Sequence, residues 1–107
     1  MQNVATIKLV ESQLLGEFYF RQNQIETAKT LRDHGKYGQH FEIDFAELGE
    51  ASHEDILEEV FDLTNNPGRQ DERVARYGRG RSVSVGDLVA IDGTDYVCMS
   101  MGWSKVD

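Results

Sequence analysis

The feature that most restricts the fold is an Asp-Gly pair near the C-terminus, Asp92-Gly93, which separates two runs of strand-forming residues at 83–91 and 96–101. A two-residue turn of this kind requires positive φ at both positions, which Asp and Gly tolerate better than most residues. Strands joined by such a turn are adjacent and antiparallel. The sequence therefore predicts a C-terminal β-hairpin, with Gly86-Asp87 as a bend or bulge in its first strand.

The register of this hairpin follows from the turn. If the residues that flank Asp92-Gly93 pair with each other, Leu88 lies opposite Val97 and Val89 lies opposite Tyr96. Side chains alternate between the two faces of a strand, so both faces of the hairpin carry apolar groups. We therefore expect the hairpin to be a central, well-covered part of a sheet.

A helix that begins after Ser52 is the second strong prediction. Ser52 and Asp55 form a capping-box pattern, in which the hydroxyl accepts a backbone N–H at the helix start, and Asn-Asn-Pro-Gly at 65–68 ends the helix. The apolar residues share one stripe at helical spacing: Ile56, Leu57, Val60 and Phe61. The opposite side is acidic: Glu54, Asp55, Glu58, Glu59 and Asp62. Such a run is typical of a solvated face; the alternative is a surface that docks a basic partner or imitates DNA phosphates.

Weaker patterns predict the remaining elements. Alternation at 4–10 favours a strand, and the aromatic end of 14–20 favours a second strand. Residues 24–34 carry apolar side chains at helical spacing, and 41–45 alternates apolar with acidic residues as a half-buried strand does. The glycine-containing segment 68–81 is predicted to be a loop.

These elements predict an α+β fold, a small single domain spanning 1–107 in which two helices pack on one side of a largely antiparallel sheet with a C-terminal β-hairpin. The hydrophobic fraction of 39% is that of a folded protein. We expect no membrane association and a cytoplasmic location, because the chain has neither a bilayer-length apolar run nor a secretory start. One cysteine and three histidines show no metal-ligand spacing, so no metal or cofactor is expected.

Charge is segregated along a chain whose net charge is −8. No Lys or Arg lies between Tyr37 and Gly68, and five of the seven arginines then follow within 69–81, which we call the arginine segment. Its candidate binding residues are Arg69, Arg73, Arg76, Tyr77, Arg79 and Arg81. Guanidinium groups on a glycine-rich backbone can approach phosphates or clustered carboxylates closely.

Three interpretations of the arginine segment remain open. The arginines neutralise the protein's own acidic helix, or they bind a protein partner, or they bind nucleic acid with Tyr77 stacked on a base. The overall acidity disfavours general binding to nucleic acid, and Asp71 and Glu72 within the segment favour a protein partner. Trp103 is either an aromatic lid on the core or an additional contact for that partner.

The residues give little indication of catalysis. Cys98 lies between apolar neighbours in a strand and is expected in the core rather than as a nucleophile. His40 and His53 flank the acidic strand without a Ser or Cys in a recognisable motif. An enzyme would require His40, His53 or Asp87 to converge on a pocket.

Three stretches carry a family resemblance: ILEEVFDLTN at 56–65, GRSVSVGDLVAI at 80–91 and YVCMSMGW at 96–103. Together they resemble the YodL-like domain family, over about half of the chain. The resemblance implies a small accessory domain of phages, conjugative elements or bacteria, and it implies no catalytic residue because no activity is established for the family. The arginine segment is longer and richer in Arg here than in the family pattern.

The sequence thus favours a non-catalytic interaction or accessory module of a phage or mobile genetic element. It would bind a protein partner through the arginine segment, with a contribution from Trp103. The alternative is a nucleic-acid-binding accessory factor that uses the same segment.

Overall fold

The computed structural model describes residues 3–20, 23–78 and 80–107 of the chain. The strands are β1 (Val4–Leu9), β2 (Gln39–Asp44), β3 (Leu88–Ile91), β4 (Thr94–Cys98) and β5 (Trp103–Val106). The α-helices are α1 (Gly16–Phe20), α2 (Gln24–Asp33), α3 (His53–Asn65) and α4 (Gln70–Arg76). Three short 3₁₀ turns lie at Ser12–Leu14, Ala46–Leu48 and Pro67–Arg69. The α+β prediction is confirmed.

The five strands form one antiparallel sheet in the order β2-β1-β3-β4-β5. The predicted hairpin is β3–β4, and its register is the expected one, with Leu88 opposite Val97 and Val89 opposite Tyr96. Asp92 and Gly93 both have positive φ, 51° and 80°, as a two-residue turn of this type requires. Because β3 is the third strand of five, the hairpin reaches the centre of the sheet.

The sheet is covered on both faces, which differs from the expectation that both helices share one side. Helix α3 packs on the face that carries Ile7, Val89 and Ile91. Helix α2 contributes Ala28 to the opposite face, which carries Leu88 and Val97. The sequence of β3 already requires packing on both faces of the sheet. Its successive residues point to opposite faces, and all four are apolar.

The capping box of α3 is confirmed. The Ser52 hydroxyl accepts the Asp55 backbone N–H at 3.1 Å, and the Asp55 carboxylate accepts the Ser52 backbone N–H at 3.2 Å. A cap of this kind is worth about 1 kcal/mol to a helix. It fixes where α3 begins and therefore which of its side chains face the sheet.

The strand predicted at 14–20 is wrong, because this region contains a 3₁₀ turn and α1. The partly or fully buried apolar residues are Leu14, Leu15 and Phe18, at helical rather than alternating spacing. The aromatic run at the end of this segment favoured a strand, but the position of Phe18 in the core under α2 decides in favour of a helix.

The loop predicted at 68–81 is also wrong in part, because α4 occupies 70–76. The first turn of α4 carries Asp71 and Glu72 and its last turn carries Arg73 and Arg76, which is the favourable arrangement for a helix dipole. The glycines suggested a loop, yet only Gly78, with φ of 75°, terminates this helix.

The C-terminal strands are shorter than expected. β3 begins only at Leu88, after the turn at Gly86, and β4 ends at Cys98. A turn closed by the Met99 N–H to the Gly102 carbonyl then leads into β5, an edge strand that the sequence pattern did not separate from β4. Trp103 therefore begins a strand of its own.

Candidate functional site

The arginine segment lies on α4 and on the connection from α4 to β3. Arg69 precedes α4, Arg73 and Arg76 lie on it, and Arg81 lies on the connection. Arg79 lies outside the described residues. The four described arginines have internal partners, and each set of partners has a different structural effect.

Arg69 joins α3 to α4. Its guanidinium donates to Glu59 at 2.6 Å, to Asp62 at 2.8 Å and to Glu72 at 2.7 Å. The hydrogen bonds that Arg69 donates to Glu72, Glu59 and Asp62, in that order of importance, raise its pKa. The Arg69 side chain is only 19% exposed. A guanidinium that already serves three carboxylates has little capacity left for an external anion.

Arg76 joins α4 to the end of β2. It donates to the Glu47 carboxylate at 2.7 Å and to the Asp44 carbonyl at 2.6 Å, and its guanidinium lies over the Phe45 ring at 4.7 Å. The hydrogen bond from Arg76 is the main cause of a lowered pKa at Glu47. Arg73 donates to the Gly80 carbonyl at 2.8 Å and to the Ser82 hydroxyl at 3.3 Å. Both arginines therefore hold backbone in place.

Arg81 forms the most buried ion pair among the described residues. Its two terminal nitrogens donate to the two carboxylate oxygens of Asp87 at 2.6 and 2.7 Å, and one of them also donates to the Val10 carbonyl. Asp87 is fully buried and also accepts the backbone N–H groups of Val10 and Ser84. The pair fastens the end of β1 to the start of β3. It also raises the pKa of Arg81, chiefly through the hydrogen bond to Asp87.

Tyr77 is buried rather than displayed. It is 3% exposed, its ring packs 4.8 Å from the Phe41 ring, and its hydroxyl donates to the Arg81 carbonyl. Burial raises its pKa to about 12. A Cβ added at Gly80 would lie 2.6 Å from the Tyr77 ring, so that glycine is required by packing. The ring is not available to stack on a nucleic-acid base.

These contacts favour the interpretation that the described arginines neutralise the protein's own acids and fix its loops. The carboxylates they engage are Glu47, Glu59, Asp62, Glu72 and Asp87. Of the predicted binding residues that the structure describes, only Trp103 lies at a surface suited to a partner.

That surface is an open groove of about 730 Å³ between α3 and the β4–β5 edge, which we call the Trp103 groove. Apolar side chains line much of it: Leu57, Phe61, Tyr96, Met99 and Trp103. Phe61 is 42% exposed, and Met101, which lies in the adjoining β4–β5 turn, is 93% exposed. Exposed apolar surface that is rimmed by polar residues is a common feature of interaction sites.

A row of carboxylates forms the α3 rim of the groove. Glu54, Glu58 and Asp62 recur every four residues and therefore lie along one line of the helix. Arg69 reaches the last of these carboxylates, Asp62. Within the described residues Glu54 and Glu58 have no ion pair and no side-chain hydrogen bond. The groove therefore combines an apolar floor with a rim on which Glu54 and Glu58 have no ion pair among the described residues, whereas Asp62 is paired with Arg69.

A hydrogen-bonded chain closes one end of the groove. His53 Nδ1 lies 2.6 Å from the Tyr96 hydroxyl, and His53 Nε2 lies 3.0 Å from an Asp92 carboxylate oxygen. With its proton on Nε2, the His53 ring donates a hydrogen bond to Asp92 and accepts one at Nδ1 from the Tyr96 hydroxyl. This chain holds the Tyr96 ring against the groove wall and links the helix start to the hairpin turn.

The residues that an enzyme would have needed in one pocket lie apart. His53 lines the groove, whereas His40 bonds the Tyr37 carbonyl on the β2 edge, and Asp87 is buried beneath Arg81. Cys98 is 2% exposed, and burial raises the pKa of its thiol to about 12. A buried thiol of this kind is a poor nucleophile.

The sequence indicated some of the groove and missed the rest. The sequence predicts an acidic face on α3 and a partner contact at Trp103, but it does not place the two together. The spacing of Phe61 predicts a core residue, because it continues the stripe of Leu57. The sequence pattern also predicts Met101 in a strand, although Gly102 directly after it is a signal for a turn.

No family model, curated protein or solved structure matches this chain. The resemblance to the YodL-like family and the mobile-element origin it implies therefore stay predictions. Among the described residues, no helix has the length and apolar character that crossing a bilayer requires.

Proposed function

We propose that the protein is a non-catalytic interaction module that binds a protein partner in the Trp103 groove. The function is the one expected from the sequence, but the surface differs, since the arginine segment is replaced by the groove. The observation that carries the proposal is the groove itself, in which the exposed Phe61 and the half-buried Trp103 lie beside Glu54 and Glu58, two carboxylates that have no ion pair among the described residues.

The physical basis is the desolvation of apolar surface at a partner interface. Aromatic and methionine side chains are enriched at the centres of protein interfaces, and Trp in particular dominates their energetics. Trp103 is half-buried, so its ring is held in place by the core while one part remains available. A pre-positioned aromatic loses little conformational entropy on binding.

The nucleic-acid alternative has less support. The four described arginines of the segment are engaged internally, and the net charge of −8 repels phosphate. The groove rim is acidic, so it would add to that repulsion.

Site-specific photo-crosslinking in the cells that encode the protein tests the proposal. A photoreactive phenylalanine analogue replaces Met101 at the groove, and in a matched control it replaces Val74, which is 56% exposed on α4. We expect a protein adduct at position 101 that survives nuclease treatment, is absent at position 74, and decreases when Phe61→Ser is added. A nuclease-sensitive adduct, or equal protein adducts at both positions, would overturn the proposal.

A further inference from the structure

We infer that the occupant of the Trp103 groove is a cationic amphipathic helix of the partner. This inference rests on the proposed function and specifies the chemistry of its partner. Its basis is the combination of helix-spaced rows along the groove with two carboxylates, Glu54 and Glu58, that have no ion pair in the part of the chain that the structure describes.

The shape of the groove suits a helix. Its α3 wall presents side chains in rows spaced by four residues, with Glu54, Glu58 and Asp62 in one row and Leu57 and Phe61 in the next. Rows of this spacing are the ridges that interdigitate when two helices pack. The wall from His53 to Asp62 is about 14 Å long, which corresponds to two to three helical turns. Binding through side chains in a groove is the usual mode for an amphipathic helix.

The charge of the groove selects a cationic helix. Glu54 and Glu58 are exposed and have no cation among the described residues, whereas Glu59 on the same helix pairs with Arg69. Arg69 thus neutralises Glu59 and also Asp62 at one end of the groove row, and it leaves the carboxylates of Glu54 and Glu58 without an ion pair among the described residues. A Lys or Arg along one edge of the docked helix would compensate both carboxylates, and an acidic helix would be repelled.

The single tryptophan of the chain allows a direct test, because Trp103 lies in the groove. Its fluorescence is followed during titration with a synthetic 18-residue Leu/Lys peptide designed as an amphipathic helix. Two controls are a Leu/Glu peptide of the same pattern and a Leu/Lys peptide of the same composition with its leucines distributed around the helix. We expect saturable binding of the amphipathic Leu/Lys peptide only, weakened by raising the salt concentration.

A pair of double variants separates the site from the general charge of the protein. Glu54→Gln/Glu58→Gln removes two carboxylates at the groove, and Glu42→Gln/Asp44→Asn removes two exposed carboxylates on the β2 edge. Both changes lower the net negative charge equally. For Glu54→Gln/Glu58→Gln we expect the Kd of the Leu/Lys peptide to rise about tenfold, because two ion pairs are lost together. For Glu42→Gln/Asp44→Asn we expect it to rise less than about twofold. Melting temperatures establish that both variants are folded.

Three outcomes would overturn the inference. These are equal weakening by the two double variants, binding of the Leu/Glu peptide as tight as that of the Leu/Lys peptide, and a protein that self-associates through the groove in sedimentation velocity. The proposed function is tested separately, by competition with the photo-adduct at position 101. If the adduct forms but the Leu/Lys peptide does not displace it, a partner binds in the groove and the cationic-helix inference is wrong. If no specific adduct forms at position 101, both the proposed function and the inference are wrong.

Discussion

The two long sides of helix α3 carry the same kind of residue in opposite situations. Towards α4, Glu59 lies 2.6 Å from the Arg69 guanidinium, which also reaches Asp62, the last carboxylate of the groove row, at 2.8 Å. On the side facing the Trp103 groove, Glu54 and Glu58 have no partner among the described residues. Neutralised carboxylates hold the domain together, and uncompensated ones remain available to a ligand. The position of arginines in three dimensions, not the number of acids, distinguishes the two sides.

The largest expected effect comes from the most buried of the neutralised carboxylates. Asp87→Ala should lower the free energy of unfolding by about 4 kcal/mol, because it leaves Arg81 and two backbone N–H groups without their acceptor. Urea unfolding followed by circular dichroism measures the change. The exposed Asp44→Ala serves as control and should stay within about 0.5 kcal/mol of wild type. A similar small loss in both variants would contradict the structural role of the Arg81–Asp87 pair.

A smaller loss is expected at the junction of α3 and α4. Arg69→Gln removes the cation that three carboxylates share, and the carboxylates then repel one another. We expect the free energy of unfolding to fall by about 1.5 kcal/mol, because the three ion pairs form one network. Lys105→Gln makes the same charge change at an exposed residue of β5 and should have little effect on urea unfolding. If the two variants are equally stable, Arg69 does not stabilise the junction of α3 and α4.

The neutralised side should also have an acid dependence. Hydrogen bonds from Arg76 at Glu47 and from Arg69 at Glu72 hold the pKa of each carboxyl below its ordinary value of 4.5. A depressed pKa contributes stability that is present above pH 4.5 and is lost as the pH falls through the lower, folded-state pKa. Arg76→Gln should cost about 1 kcal/mol at pH 7 and progressively less below pH 4.5. Urea unfolding at a series of pH values measures both curves; parallel curves would argue against this linkage.

The smallest effect is the most direct comparison of the two sides. Glu58→Gln and Glu59→Gln make the same change at adjacent positions of α3. We expect a loss of about 0.7 kcal/mol for Glu59, which pairs with Arg69, and a neutral or slightly stabilising effect for Glu58, whose removal relieves repulsion in an acidic protein. Thermal denaturation of the two variants in parallel would show the difference. Its absence would mean that the two sides of α3 are energetically alike.

Local patterns predicted the parts of the fold that depend on local physics. The Asp92-Gly93 turn set the hairpin register, and the Ser52–Asp55 capping box set the start of α3. Segments whose conformation depends on distant partners were not predicted. The helix α1 forms because Phe18 packs beneath α2, and α4 is fixed by arginines that reach Glu59 and Asp44.

The candidate site divides in the same way. The clustering of arginines predicts a binding surface at 69–81. The fold shows that the described arginines of this segment already bond to carboxylates or backbone carbonyls of the same chain. Phe61 has the spacing of a core residue, yet it remains 42% exposed because it lines the open groove between α3 and the β4–β5 edge. Exposure of this kind depends on which part of the sheet a helix position faces, and periodicity along one helix does not contain that information.

The position of β1 in the sheet has a consequence for the timing of folding. β1 pairs with β2 on one side and with β3 on the other. The backbone pairing of Ala5 with Ile91, which are 86 positions apart in the sequence, therefore forms only when β3 joins the sheet. Closing so long a loop is entropically slow, and chains rich in such distant contacts fold slowly. During synthesis, β1 is made before β3, so it lacks one of its two neighbouring strands until residues 88–91 have been made. The sheet can close around β1 only then, and the five strands are therefore expected to be completed together rather than one after another.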